Sequence, residues 1–479
     1  MSGSLLPVDE ALRIVLSEAE SLAPDAARGT GRRSGPGVRV VPGPGEAPGG
    51  GATSVTGAAT GVGATTDSHA ATPGDVGTMP GAGATPDEDG LPEAEEISIE
   101  ESLGRVLART VTSPADMPAC DRSAMDGYAV RSADIAHPPV VLDVVGYLPA
   151  GRSGEGFDVR AGQAVRIMTG APMPAGADAV QMIERTGDAD GGAKVSVLEA
   201  VDPGANIFKR GQDLRRGEIL IEAGSILRPA GIGALAAAGQ MRVMVHRRPV
   251  ARVLSTGDEV IEAGAEAAPY QVRNSNGPTL LAAMRQAGLA PVSMGIVGDD
   301  TAQLDARIQE GLSGDLFFVI GGVSVGDRDL VADRLEAAGV KILFHRIAMK
   351  PGKPLLFGRR GGCLVFGLPG NPLSALTGFL VFALPAIRRL SGRPGNGLAS
   401  VRAKLVETIR QKPGRTWYRL ARIALRDGVF SAAPVPSSGS GDLVSAVCAN
   451  GFVVVPADTA VLGAGQEVNA LLWPGFDMV

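Results

Sequence analysis

Apolar runs and amphipathic segments alternate regularly between residues 250 and 390. Each apolar run stops at glycines, aspartates or other polar residues, and most are followed by a segment with the apolar spacing of a helix. The apolar runs are 250–254, 292–297, 316–320, 341–346 and 363–366, and the helical segments are 278–286, 301–311, 330–338 and one that starts near 373. Strands that alternate with helices of this length predict a doubly wound, mostly parallel sheet. We therefore expect an α/β domain at 248–391.

The pattern changes on both sides of this region. Residues 8–22 carry apolar side chains on one side and predict a short amphipathic helix. Residues 28–93 are mainly Gly, Ala, Pro, Thr and Asp, so they bury too little apolar surface to fold; this segment is predicted to be a disordered insertion, with a partner-binding tail or a tether as the alternative. Short apolar runs cut by Gly and Pro predict a β-rich domain at 116–216 and a C-terminal β-barrel-like domain at 392–479.

Composition argues against several classes of protein. The net charge of −6 over 479 residues is not that of a nucleic-acid-binding protein. The three cysteines (Cys120, Cys363 and Cys448) are far apart and form no C-x-x-C pattern, which argues against a disulfide framework and a zinc site. The apolar run at 378–387 is shorter than the ~20 residues that cross a bilayer, and no secretory signal opens the chain. We expect a cytoplasmic protein with no membrane or nucleic-acid partner.

The candidate chemistry lies in the loops after the predicted strands. Such loops meet beyond the carboxyl ends of a parallel sheet, where ligands of α/β domains bind. The glycine-rich loop at 321–326 is typical of a phosphate cradle, because glycine lets the backbone approach an anion closely. The same loops contain the carboxylates of Asp258, Glu259, Asp299, Asp300, Asp327 and Asp329. Carboxylates beside a phosphate indicate a Mg²⁺ ion between them, although Asp258, Asp300 and Asp327 are interpreted mainly as helix caps or turn residues.

Three further segments are unusual. Lys350 and Lys353 are held by two prolines in MKPGKP, and rigid ammonium groups suit a tetrahedral oxyanion or a phosphate. Solvated surface lysines are the alternative. The segments around Asp126 (120–130) and Thr169 (166–180) contain dense turns that a plain strand pattern does not explain.

These segments together resemble one known family. SAMDGYAV, MTGAPMPAGADAV, GQDLRRGEILIEAG, STGDE, SNGPTLLA, GGVSVGDRD, MKPGKP and LPGNP occur in the order found in the molybdopterin molybdenumtransferases, which include the bacterial enzyme and the E domain of gephyrin. The resemblance extends over 97–473. It implies an elongated homodimer of four-part protomers, in which 1–27, 94–115 and 217–247 form a discontinuous α+β domain. The β-rich domain of one protomer would reach the α/β domain of the other.

The resemblance also implies a reaction and its residues. Molybdate would be inserted into adenylylated molybdopterin with release of AMP, in a Mg²⁺-dependent step that needs no protein nucleophile. The adenylyltransferase and the apo-molybdoenzymes of the same pathway are possible partners. The implied catalytic residues are Asp126, Thr169, Asp213, Glu259, Asp299 and Asp329, of which Glu259, Asp299 and Asp329 would bind the metal. The implied substrate-binding residues are Gly321, Gly322, Ser324, Lys350, Lys353, Pro369, Asn371, Pro372, Arg415 and Ser438.

This sequence departs from the family pattern at a few positions. Gln212 replaces a common Glu beside Asp213, and the segments around Arg415 and Ser438 follow the pattern only loosely. Two other functions stay open. One is a molybdopterin adenylyltransferase or a nucleotide-processing amidase that shares the α/β domain, and the other is a scaffold that has lost turnover.

Overall fold

The computed structural model describes residues 5–23, 94–323, 330–393, 395 and 397–475. The insertion predicted at 28–93 lies outside the described residues.

A six-stranded sheet forms the centre of the α/β domain. Its strands, in spatial order, are Val292–Val297, Ala251–Thr256, Leu316–Ile320, Cys363–Leu368, Leu356–Arg360 and Lys341–His345. The first four strands are parallel, and only Leu356–Arg360 runs antiparallel to its neighbours. The predicted mostly parallel sheet is therefore confirmed.

Alternate side chains of the central strands enter two apolar layers, one on each face of the sheet. Phe318 and Phe366 stack with ring centroids 5.2 Å apart in one layer, whereas Phe317 and Val365 belong to the other. This period of two is the side-chain geometry of a strand, and strands buried on both faces are continuously apolar in sequence. The helices that cover the sheet are Asn276–Gln286, Thr301–Gly311, Leu330–Ala337, Pro372–Gly378 and Leu384–Leu390, the last two joined by the π-helical segment Phe379–Ala383.

Among the described residues, one helical stretch, Pro372–Leu390, is long and apolar enough to span a membrane. This stretch is longer than the apolar run at 378–387, which by itself is too short to cross a bilayer. Because 83% of its most apolar window is buried inside the protein, it serves as a core helix of the α/β domain.

The N-terminal helix, Val8–Leu22, packs on the α/β domain. Its residues Ala11, Val15 and Ala19 are fully buried in the same apolar layer as Phe318. Residues 5–23 thus pack on the α/β domain, whereas the resemblance implied a place for residues 1–27 in the discontinuous α+β domain. The amphipathic pattern predicted the helix and its buried side, but an apolar side alone does not specify which surface covers it.

Four sheets precede the α/β domain in the described part of the chain, and three of them are two-stranded. In one of these short sheets Glu95–Ser98 pairs antiparallel with Arg242–Val245, and the helix Pro229–Ala237 lies nearby. The β-rich domain contains a six-stranded sheet. Its strands, in spatial order, are Ala179–Met182, Gly127–Val130, Gln163–Ile167, Val140–Leu148, Lys194–Val197 and Thr186–Asp188.

The C-terminal region contains a closed β-barrel of five strands, as predicted. The strands around the barrel are Thr416–Arg426, Val429–Pro434, Ala399–Leu405, Glu467–Leu472 and Gly451–Val455. The barrel closes because Gly451–Val455 pairs with Thr416–Arg426. The short strand Met349–Lys350, from the α/β domain, pairs with the start of Thr416–Arg426. This pairing brings the lysine loop of the α/β domain beside the barrel.

Candidate active site

A cleft of about 650 Å³ opens at the carboxyl ends of three parallel strands. Glu259 follows the strand Ala251–Thr256, Gly321 and Gly322 follow Leu316–Ile320, and Pro369, Asn371 and Pro372 follow Cys363–Leu368. This is the edge of an open α/β sheet at which ligands bind. The cleft therefore unites six of the residues singled out from the sequence.

The two glycines of this cleft are required by the backbone. Gly321 has a φ of +95°, and a Cβ atom there would lie 2.6 Å from the carbonyl oxygen of Thr256. Gly322 has a φ of +66°, and its Cβ atom would lie 2.4 Å from Cγ2 of Val331. Only glycine fits such positions without strain, so the backbone after Ile320 turns sharply and lines the cleft.

Asn274 and Asn276, which the sequence did not mark as site residues, also line this cleft. The side-chain amide of Asn276 donates a hydrogen bond of 2.7 Å to the carbonyl oxygen of Gly370, which ties two loops of the cleft together. Oδ1 of Asn274 accepts a hydrogen bond of 2.9 Å from the N–H of Gly277. The polar run at 274–276, which ends at the first residue of the helix Asn276–Gln286, was the available signal.

The acidic residues at this edge differ in position. Glu259 lines the cleft, but Asp299 does not; the N–H of Asp299 donates to Oδ1 of Asp258 at 2.9 Å. Asp300 caps the helix Thr301–Gly311 by accepting a hydrogen bond of 2.8 Å from the N–H of Gln303, which confirms its interpretation as a cap. Within the part of the chain that the structure describes, no three His, Cys, Asp or Glu side chains form a metal-binding group. Ser324, Asp327 and Asp329 lie outside the described residues.

A second cleft, of about 450 Å³, lies between the α/β domain and the barrel. It shares the lining residues Pro354, Pro369 and Asn371 with the first cleft, so the two clefts adjoin. The predicted residues that line it are Lys350, Lys353, Pro369, Asn371, Arg415 and Ser438. Among its described lining residues none is acidic. Such an excess of positive charge, without a carboxylate to neutralise it, is suited to an anion.

Local interactions shape this cationic cleft. Burial lowers the pKa of Lys350 below its usual value, and the nearby charges of Arg415 and Arg419 lower it further. Ser438 is held by Asp442, whose carboxylate accepts hydrogen bonds from its N–H at 2.9 Å and from its hydroxyl at 3.2 Å. Hydrogen bonds from Ser445, and then from Ser438, hold the pKa of Asp442 well below its usual range. The loop that presents Ser438 is therefore anchored by a charged group.

Asp126, Thr169 and Asp213 lie in the β-rich region, and none of them lines either cleft of the same chain. Asp126 and Thr169 are in contact through two hydrogen bonds of 2.7 Å. Asp213 belongs to a separate turn, where its N–H donates to the carbonyl oxygen of Met117 at 3.0 Å. One protomer therefore brings Asp126 and Thr169 together but leaves them apart from the clefts.

Three family profiles match the chain in succession. They are the MoeA N-terminal region (domain I and II) at residues 75–239, the probable molybdopterin binding domain at 252–389, and the MoeA C-terminal region (domain IV) at 402–473. Molybdopterin molybdenumtransferase from Bacillus subtilis (strain 168) is 34% identical over 389 residues, which cover 79% of this chain and 90% of that protein. The chain belongs to the molybdopterin molybdenumtransferase family.

Other members are similar to the same extent. Molybdopterin molybdenumtransferase 2 from Mycobacterium tuberculosis (strain H37Rv) is 35% identical over 78% of this chain and 93% of its own length. A crystal structure of the molybdopterin biosynthesis MoeA protein from Pyrococcus horikoshii aligns with a TM-score of 0.69 at 34% identity, over 80% of this chain and 95% of that chain. The family resemblance is thus confirmed, and so is the expectation of a transferase.

Proposed function

We propose that this enzyme inserts molybdenum from molybdate into adenylylated molybdopterin and releases AMP, in a Mg²⁺-dependent step. The observation that supports this proposal most strongly is that the two clefts adjoin at Pro354, Pro369 and Asn371. One cleft has the glycine turns and the polar wall that suit a phosphate-bearing ligand, and the other has the cations that suit an oxyanion. A transfer between two such ligands needs adjoining sites.

The residues at the first cleft fit a Mg²⁺ ion. Glu259 lines the cleft, and its carboxylate has no hydrogen-bond or ion-pair partner among the described residues. Mg²⁺ in enzymes is commonly held by one or two carboxylates together with substrate phosphates and water, so a cage of three protein ligands is not required. We assign Glu259 and Asp329 to this ion, which when bound would neutralise phosphate charge. Asp299, also expected as a ligand, does not line the cleft and would hold the ion only if its side chain turned towards it. The N–H group of Gly322 would help to orient the phosphates, whereas that of Gly321 donates to the carbonyl oxygen of Leu368 at 2.9 Å.

The cationic cleft would hold the molybdate. Lys350, Lys353 and Arg415 supply positive charge. The N–H and hydroxyl of Ser438 both donate to Asp442, so Ser438 would shape the wall of the cleft rather than donate to the anion. Bringing the oxyanion beside the pterin sulfurs makes the reaction effectively intramolecular, which accounts for a large part of catalysis in such transfers. Pro369, Asn371 and Pro372 would shape the passage between the two ligands.

The remaining predicted residues would come from a second copy of the chain. Asp126, Thr169 and Asp213 line neither cleft of their own protomer, which supports an arrangement in which they face the partner's α/β domain. We therefore propose a homodimeric, cytoplasmic enzyme. Its pathway partners would be the adenylyltransferase that supplies the substrate and the apo-molybdoenzymes that receive the product.

The test is a defined reaction with the purified full-length protein, adenylylated molybdopterin, Mg²⁺ and molybdate. The proposal requires release of AMP together with cofactor that activates an apo-molybdoenzyme. Consumption of ATP and bare molybdopterin would instead indicate an adenylyltransferase, and no turnover of either substrate would indicate a scaffold. Lys350→Ala and Asp329→Ala should abolish insertion in a protein that remains folded and dimeric. The exposed Lys341, which lines neither cleft, provides Lys341→Ala as a matched control that should retain full activity.

A further inference from the structure

Two cations of the cationic cleft lie close to the indole ring of Trp417. The Nζ atom of Lys350 is 4.2 Å from the centroid of the indole ring, and Cζ of Arg419 is 5.0 Å from it. Both distances are within the range of cation–π attraction, which is strongest for tryptophan. The half-buried indole also packs against the apolar core of the barrel, and this packing fixes the position of the ring.

The strand pairing explains how this contact forms. Lys350 lies directly opposite Trp417 in the parallel ladder between Met349–Lys350 and Thr416–Arg426. Trp417 and Arg419 are two residues apart on the strand Thr416–Arg426 and so project to the same side of it, and Arg415 immediately precedes the strand. All three line the cationic cleft. The sequence RTWYR thus carried a period-two signal that the sequence analysis did not use.

Electrostatics show why an aromatic ring is useful at this point. Burial, and then the nearby charges of Arg415 and Arg419, lower the pKa of Lys350. Like charges repel, and long side chains that have no acidic partner among the described residues would turn apart towards solvent. The negative face of an indole attracts both cations without neutralising them, as a carboxylate would. Both positive charges therefore remain available to an anion.

We propose that Trp417 is a positioning residue of the oxyanion site and that Arg419 is a further anion-binding residue. Trp417 holds Lys350 and Arg419 so that their charges, together with those of Lys353 and Arg415, converge on one cleft. Convergence of four cations selects a doubly charged tetrahedral oxyanion over a singly charged one of similar shape. This inference rests on the proposed function of the cleft as the molybdate site.

Molybdate and perrhenate provide the probe, because both are tetrahedral oxyanions but carry charges of −2 and −1. Their affinities would be measured by isothermal titration calorimetry with the full-length protein, and the fold of each variant would be checked by circular dichroism. Trp417→Leu removes the ring, whereas Trp417→Phe keeps an aromatic face. Arg419→Gln removes the charge, and Arg422→Gln is the matched control, because Arg422 is exposed on the same strand and does not line the cleft.

Trp417→Leu should weaken molybdate binding about tenfold, equivalent to ~1.4 kcal/mol, and weaken perrhenate binding less, so that the preference for molybdate falls. Trp417→Phe should restore most of the affinity, Arg419→Gln should resemble Trp417→Leu, and Arg422→Gln should resemble the wild type. If Trp417→Leu weakens the binding of both anions equally, or if Trp417→Leu and Trp417→Phe bind molybdate with the same affinity, Trp417 only packs against its neighbours and the inference is overturned. If Trp417→Leu does not fold, the test depends on Arg419→Gln. An unchanged preference for molybdate over perrhenate in that variant overturns the inference. Failure of the wild type to bind molybdate would instead overturn the proposed function.

Discussion

The carboxylate of Asp126 accepts two hydrogen bonds from Thr169, one from its backbone N–H and one from its hydroxyl, both at 2.7 Å. Both bonds favour the charged carboxylate, and the N–H contributes most to holding the pKa of Asp126 below its usual value of 3.8. Asp126 is therefore ionised and oriented at neutral pH.

Thr169→Val should raise the pKa of Asp126 towards 3.8, because valine keeps the side-chain shape and the N–H but loses the hydroxyl. Since the folded-state pKa is lowered, the stabilisation is complete above the unfolded value and is lost as the pH falls through the folded value. The variant should therefore lose stability near neutral pH but differ less from the wild type in acid. Titration of ¹³C-labelled aspartate carboxylates by NMR would measure the change. Thr169→Ser retains the hydroxyl as the control, and an equal pKa in both variants would contradict the assignment.

The pattern of apolar residues predicted the strands that are buried on both faces and the helices that are buried along one side. The strand Leu316–Ile320 is such a case, because all five side chains are buried and all five are apolar. The antiparallel strand Leu356–Arg360 was missed, since no helix separates it from Cys363–Leu368 and its last two residues are arginines. Alternation of strands and helices detects parallel crossovers but gives no signal for a hairpin.

Residues of the candidate site could be predicted where the loop after a strand contains glycines or acidic residues. Gly321, Gly322 and Glu259 follow strand ends directly, and they meet as expected in one cleft. Asp299 also follows a strand, but its side chain does not line the cleft, because spacing along the chain does not determine side-chain direction. The meeting of Lys350 with Arg415 depends on the pairing of two domains, which no local pattern encodes.

Gly321→Ala should destabilise the α/β domain more than Gly361→Ala. Both glycines have a positive φ, but a Cβ atom at Gly361 meets nothing within 4 Å, whereas one at Gly321 lies 2.6 Å from the carbonyl oxygen of Thr256. Gly361→Ala should therefore cost ~1–2 kcal/mol from backbone conformation alone. Gly321→Ala should cost roughly a further 1–3 kcal/mol from the clash. Denaturant unfolding would measure both, and equal free energies of unfolding would show that the backbone after Ile320 relaxes freely.

Two cysteines should differ sharply in reactivity. Burial raises the pKa of the Cys363 thiol to about 12, and only 3% of the residue is exposed, whereas Cys448 is exposed. Only the thiolate reacts with iodoacetamide, so at pH 8 Cys448 should be alkylated while Cys363 stays unmodified until the protein is unfolded. Peptide mass spectrometry before and after addition of guanidinium would show the difference. Comparable alkylation of both residues in the native protein would contradict the packing of the strand Cys363–Leu368.

The central claim is that one oxyanion binds where the α/β domain meets the barrel. Anomalous diffraction from crystals soaked with molybdate and Mg²⁺ tests this most directly, because molybdenum is located without assumptions about the ligand. We expect a molybdenum peak in the cleft lined by Lys350, Lys353 and Arg415. A well-occupied peak at another site, with this cleft empty, would contradict it.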